Sequence, residues 1–219
     1  MHELPKKLPL PLKVGYGKFR TFKYARHAQR YLELAVKSQK PSTMVIACCD
    51  SRAAPETIFD ASAGELFVVR NVANLVPPYA PDGQRHSTSA ALEFAVHELG
   101  VQHIVVMGHS HCGGIAAAAG TRDPLSGSDF IGKWMSDVGD VIARVPCPEG
   151  CSAHDHLQAI ERASVVQSLA NLQSFPWISA LESKGEVSLH GVWFDVARGE
   201  LHVYDDTTFA WREVMPVVG

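Results

Sequence analysis

The chain has 219 residues, of which 46% are hydrophobic and 20% charged, with a formal net charge of −3. That composition suits one domain with a sizeable core and excludes a disordered chain. It has no long basic run and no apolar stretch of membrane-spanning length, so neither nucleic acid nor a membrane is expected as a partner, and a small substrate is. The first twelve residues carry basic side chains but are broken by prolines and lack the apolar region of a signal peptide. A cytoplasmic location is therefore expected, where thiols stay reduced and the five cysteines are available to metals or catalysis.

Residues 1–14 read as an irregular arm, since Pro5, Pro9 and Pro11 oppose a continuous helix. From Tyr16 to about Ser38, Phe19, Phe22, Ala25, Tyr31, Leu34 and Ala35 recur at mostly helical intervals, which predicts one or two amphipathic helices. Strands are expected at Thr43–Cys48, Leu66–Val69 and 103–107, with a short helix at Pro55–Phe59. Ser87 or Ser89 offers an N-cap for a helix running to Leu99, where Gly100 stops it. Gly113–Ala119 is expected to be helical, 120–129 a loop, and Phe130–Val145 and His154–Asn171 two further helices, followed by a short helix after Phe175-Pro-Trp177. Val187–Val196 and Leu201–Tyr204, joined by a turn at Arg198-Gly199, read as a hairpin. The fold class is α/β, a mostly parallel central sheet with flanking helices, an edge hairpin and an N-terminal helical arm. The chain is read as a single domain, 1–219, with the arm and its helices at 1–40 and the α/β core and C-terminal hairpin at 41–219.

Two apolar runs end in groups suited to metal binding: Met44-Val-Ile-Ala-Cys-Cys-Asp-Ser-Arg52, and Ile104-Val-Val-Met107 followed by Gly108-His-Ser-His-Cys-Gly-Gly114. Open α/β sheets bind ligands outside the carboxyl ends of their strands, so neighbouring strands of this kind would pool these side chains. In an extended segment Cys48, Asp50 and Arg52 share one face, and Cys49 and Ser51 the other. Either face is available to a site. The first offers a thiolate together with a carboxylate and a guanidinium that can pair, and Cys48 is favoured as a ligand on that ground. With His109 and Cys112 it makes a Cys₂His set, which around Zn²⁺ leaves one position open, as in catalytic rather than structural zinc sites. Asp50 would orient a zinc-bound hydroxide while Arg52 holds Asp50 ionised. Alternatively Asp50 closes the site by taking the metal itself. Taken singly, a Cys-Cys pair in a strand is more often packing, and Cys147 and Cys151, in a Pro/Gly-rich loop, are weak evidence for a second metal clip or redox pair.

Cys48-x-Asp50-x-Arg52 together with His109-Ser-x-Cys112-Gly-Gly-Ile115 resembles the paired signature of the β-class carbonic anhydrases. The resemblance continues through Pro55, Gly64–Tyr79 and Ser188–Asp195, and covers the chain from about Tyr16 to Tyr204. It implies reversible hydration of CO₂ to bicarbonate and a proton on Zn²⁺, by a homodimer or dimer of dimers. It places Gln39, Phe67, Val72, Phe94 and Gly113 where the family forms a narrow CO₂ pocket, partly across a dimer interface. Cys49 stands where the family usually has Ser, and Phe94 where plant-type members have Tyr. Val45 and Phe194 replace the Trp and Tyr of bicarbonate-regulated members, although the matching Arg70 remains. The resemblance, lacking that Trp and Tyr, implies the plant-type, open active-site subtype. Two other functions stay open at this point: a related zinc hydrolase acting on carbonyl sulfide or carbon disulfide, and a zinc-stabilised binding module without turnover.

Overall fold

A computed structural model describes residues 8–120 and 130–217. The expected loop at 120–129 lies, but for Gly120, outside the described residues, as does the start of the arm. The chain separates into two compact units, Met1–Gln39 and Lys40–Gly219.

In the first unit α1, Leu10–Lys18, passes through a π-helical stretch, Phe19–Tyr24, into α2, Ala25–Lys37. The expected irregular arm is thus corrected from Leu10 onward. Pro9 sits at the N-cap and Pro11 in the first turn, where a missing N–H sacrifices no helical bond. A kink falls at His27, whose φ of −118° is non-helical. Phe19, Tyr24 and Tyr31 pack ring to ring, yet no residue of these helices is buried. Leu10, Tyr16, Phe22 and Val36 are all more than half exposed.

The second unit is built on six strands: β1 Thr43–Cys48, β2 Leu66–Asn71, β3 His103–His109, β4 Ser188–Asp195, β5 Glu200–Asp205 and β6 Ala210–Glu213. Their order is β2-β1-β3-β4-β5-β6, with the first four strands parallel and antiparallel pairing between β4 and β5 and between β5 and β6. The expected hairpin is β4–β5, but β5 is not the edge. Ala-Trp-Arg-Glu adds β6 outside it, a strand too short and too exposed to show a period-two pattern. β1 is buried from Met44 to Cys48, because both sheet faces are covered. Met44 and Ile46 join Ile104, Val106, Val165 and Phe175 on one side, while Val45 and Ala47 meet Met107 and Val192 on the other.

The helices of this unit are α3 Pro55–Ile58, α4 Ser87–Phe94, α5 Gly113–Ala118, α6 Ile131–Trp134, α7 Ser136–Arg144, α8 Ala153–Gln173 and α9 Pro176–Ser183. The expected helix over Phe130–Val145 is broken at Met135 into α6 and α7. His86, not a serine, occupies the N-cap of α4, which continues as a π-helical turn to Gly100 at φ +64°. Serine at 152 caps α8 by accepting the Asp155 N–H. No helix of the described residues is long and apolar enough to cross a membrane.

Parallel pairing aligns Ala47 with Met107, so the carboxyl ends of β1 and β3 lie side by side. Just before that end, a Cβ on Gly108 would stand 2.6 Å from the Val165 Cγ2 on α8. The neighbour is a fully buried, β-branched side chain with little freedom to move. Gly108→Ala is therefore expected to destabilise the fold by about 1–3 kcal/mol through overpacking. Chemical denaturation checks this, and an unchanged midpoint would show that α8 yields.

Candidate metal centre

Cys48 ends β1, His109 ends β3, and Cys112 is the N-cap of α5. The turn between His109 and Cys112 puts His111 in the left-handed region at φ +57°, an uncommon state for a residue with a Cβ. Gly114 lets α5 approach closely, since a Cβ there would lie 2.9 Å from the Val72 Cγ1. The sequence-derived set is thus gathered from two strands and a helix start. One ligand atom from each of Cys48, His109 and Cys112 lies within 4.8 Å of the other two, and all three residues are buried.

The donor chemistry fits zinc. The two sulfurs are 4.0 Å apart, against about 3.8 Å for thiolates at ~2.3 Å from a tetrahedral ion. His109 Nδ1 pairs with the Ser110 carbonyl at 2.9 Å, which fixes the proton on Nδ1. Its Nε2 is buried and has no hydrogen-bond partner, an orphan lone pair of the kind a metal satisfies. A hydrogen bond from the Cys112 thiol pulls the Cys48 thiol down to about 4, against the opposing effect of burial. The Cys112 thiol is pushed up by the same bond and by burial. The Ala73 N–H also points at the Cys48 sulfur, at 3.4 Å.

Asp50 stands beside this group without joining it. Its Oδ1 accepts the Arg52 Nε–H at 2.9 Å and the Arg52 backbone N–H at 3.0 Å, and its Oδ2 accepts Nη2–H at 2.7 Å. The guanidinium hydrogen bond holds the Asp50 carboxyl far below the usual carboxylate range. Arg52 Nη2 also donates to the His111 carbonyl at 3.1 Å, linking the two ligand loops. Arg70, on β2, donates to the carbonyls of Cys48 and Asp50 at 2.8 and 2.6 Å. Its guanidinium is occupied by backbone.

Cys49 is exposed and lines a cleft of about 800 Å³ with Asn71, Val72, Arg85 and Trp134, whose lining includes none of the three ligands. Of the expected pocket residues, Val72 lines the cleft and receives the Trp134 Nε1–H at its carbonyl. Gly113 begins α5. Phe67 and Phe94 pack on each other, ring centroids 5.9 Å apart, with Phe94 47% exposed. Gln39 ends the first unit. Cys147 and Cys151 join no metal-ligating group among the described residues.

Sequence reasoning missed Glu161 on α8. Its carboxylate, 3% exposed, accepts the Cys112 N–H at 2.9 Å and the Trp193 indole N–H at 3.3 Å. Burial pushes it up to about 7, and the two hydrogen bonds oppose that shift. The signal was present: Glu161, Ser164, Val165, Ser168 and Leu172 recur on the buried face of the helix, and an acid there needs a partner.

The family profile described as carbonic anhydrase matches residues 43–201, most of the second unit. Beta carbonic anhydrase 5 of the chloroplast of Arabidopsis thaliana is 39% identical over 186 residues, 84% of this chain and 60% of that protein. The chain belongs to the β-class carbonic anhydrases. It spans less than two thirds of that relative's length. Among solved β-carbonic anhydrases, the structure of CcaA superposes with a TM-score of 0.84 at 28% identity, covering 94% of this chain and 92% of that one. A tetrameric β-carbonic anhydrase of Sordaria macrospora superposes with a TM-score of 0.76 at 27% identity, over 88% and 94% of the two chains. The six-stranded sheet with flanking helices is the β-carbonic anhydrase architecture.

Proposed function

We propose that this chain catalyses the reversible hydration of CO₂ to bicarbonate and a proton, using Zn²⁺ held by Cys48, His109 and Cys112. The observation that carries the reading is the orphan Nε2 of His109 facing two cysteine sulfurs beside an Asp/Arg pair. When bound, zinc would supply Lewis acidity, lowering the pKa of water so that hydroxide becomes available. The chain's own residues orient that chemistry. Asp50, ionised at any pH near neutrality, accepts a hydrogen bond from the nucleophile's proton and so aims its lone pair at the CO₂ carbon. Arg52 holds the carboxylate by both oxygens, which keeps Asp50 off the metal and favours the open, plant-type state. By the resemblance, the Gly113 backbone N–H or the Gln39 amide would hold a CO₂ oxygen, with Phe67, Val72 and Phe94 as the apolar wall, partly across a dimer interface. The proton released in each turnover leaves to solvent.

The half-exposed Phe94 and the exposed apolar side chains on the helices of the first unit support a homodimer or dimer of dimers. The proposed location is the cytoplasm, whose reducing conditions keep a Cys₂His set available to a metal. Stopped-flow CO₂ hydration on protein of measured zinc content tests the activity, with light scattering giving the assembly. Stoichiometric zinc without hydration would reduce the chain to a binding module, and carbonyl sulfide hydrolysis far exceeding hydration would assign it to the related hydrolases. A stable monomer at full activity would remove the shared pocket.

A further inference from the structure

The Cys112 amide has no partner within α5, because it precedes the helix, and it is buried with its residue. Such a donor costs about 1–3 kcal/mol if left unpaired. It is met by a carboxylate from α8, a different element, and that carboxylate's second oxygen is held by Trp193. Trp193 is fully buried on β4 and pairs in register with Gly108, next to His109. The Arg162 guanidinium lies 4.3 Å over its ring, on the same helix as Glu161. Glu161 therefore joins the ligand loop to the sheet and to the long helix at one point.

We propose that Glu161 is a positioning residue that holds Cys112 in ligating geometry through its backbone amide, so that zinc retention depends on a carboxylate touching neither metal nor substrate. This rests on the reading that Cys48, His109 and Cys112 hold zinc. A polar group that only satisfied a buried donor would matter for stability alone. A positioning group matters for the metal as well, because outer partners of ligands typically contribute 10–100-fold to metal affinity. Glutamine at 161 keeps one acceptor oxygen for two donors, and its NH₂ would face the other N–H. Leucine leaves both donors unpaired.

The test uses the full zinc-loaded chain, Glu161→Gln and Glu161→Leu, with zinc transfer to a colour-forming chelator as the readout. Visible absorption of the Co²⁺-substituted proteins and far-UV circular dichroism accompany it. The Gln variant is expected to release zinc about 10-fold faster than wild type and the Leu variant up to about 100-fold faster, both with altered cobalt bands. A folded Leu variant with wild-type release and unchanged cobalt bands overturns the proposal. Should the Leu variant not fold, wild-type release and bands in the Gln variant overturn it equally. Wild-type chain that never takes up stoichiometric zinc overturns the metal reading too, whereas zinc-replete variants indistinguishable from wild type overturn the role of Glu161 alone.

Discussion

Cys48→Ser is expected to leave the chain unable to retain stoichiometric zinc, and Cys49→Ser to retain it as wild type does. The two neighbours differ in one respect that decides the outcome: a strand places successive side chains on opposite faces. Cys48 points into the group with His109 and Cys112, where its sulfur lies 4.0 Å from the second thiol. The hydrogen bond from the Cys112 thiol lowers its thiol and so favours the thiolate that zinc requires. A serine hydroxyl there stays protonated near neutrality and offers no comparable ligand to zinc. Without the metal the nucleophile is water itself, so hydration should fall by at least about 10³-fold. Cys49 is exposed to the cleft, and exchanging its sulfur for oxygen changes nothing the ligands touch. Metal analysis after gel filtration checks both variants. Zinc lost from Cys49→Ser and kept by Cys48→Ser would reverse the assignment of faces.

Much of this centre was legible because its pieces are local. A β-branched run broken by Cys, Asp and Arg states where a strand ends, and the two-residue alternation separates Cys48 from Cys49 without coordinates. The Asp50–Arg52 pair is equally local, closing over a single residue. What the sequence left open depends on distant partners. Glu161 meets Cys112 across 49 positions and Arg70 meets Cys48 across 22, and nothing near either residue names its acceptor or donor. The same limit explains Arg70, which stood out as the counterpart of an anion-binding arginine and turned out to be committed to two carbonyls. At the N-terminus the error was in the weight given to proline. Position within the first turn, rather than presence, decides whether it breaks a helix. β6 escaped because four largely exposed residues carry no periodic pattern, and only pairing with β5 makes them a strand.

Arg70 holds the backbone of the turn after β1, and Arg52 holds the Asp50 side chain and the loop carrying His111, so removing the carboxylate alone should leave the ligands in place. Asp50→Ala is accordingly expected to keep stoichiometric zinc and to lose hydration by about 10²- to 10³-fold, the scale of removing one preorganised hydrogen-bonding group from a reacting centre. Stability should hardly move. The Arg52 side chain is 47% and the Asp50 side chain 18% exposed, and an ion pair open to solvent on one side contributes about 0–1 kcal/mol. Asp50→Asn sharpens the point, since it keeps the shape and one acceptor oxygen but loses the charge that draws Arg52 onto both oxygens. Its amide can turn a donor toward the nucleophile, so it should remain far below wild type despite near-native packing. Stopped-flow hydration, zinc content and thermal midpoint, measured on the same preparations, separate these effects. Full hydration in a zinc-replete Asp50→Ala would reduce the Asp/Arg pair to a structural clasp, and zinc lost together with activity would place the carboxylate among the ligands instead.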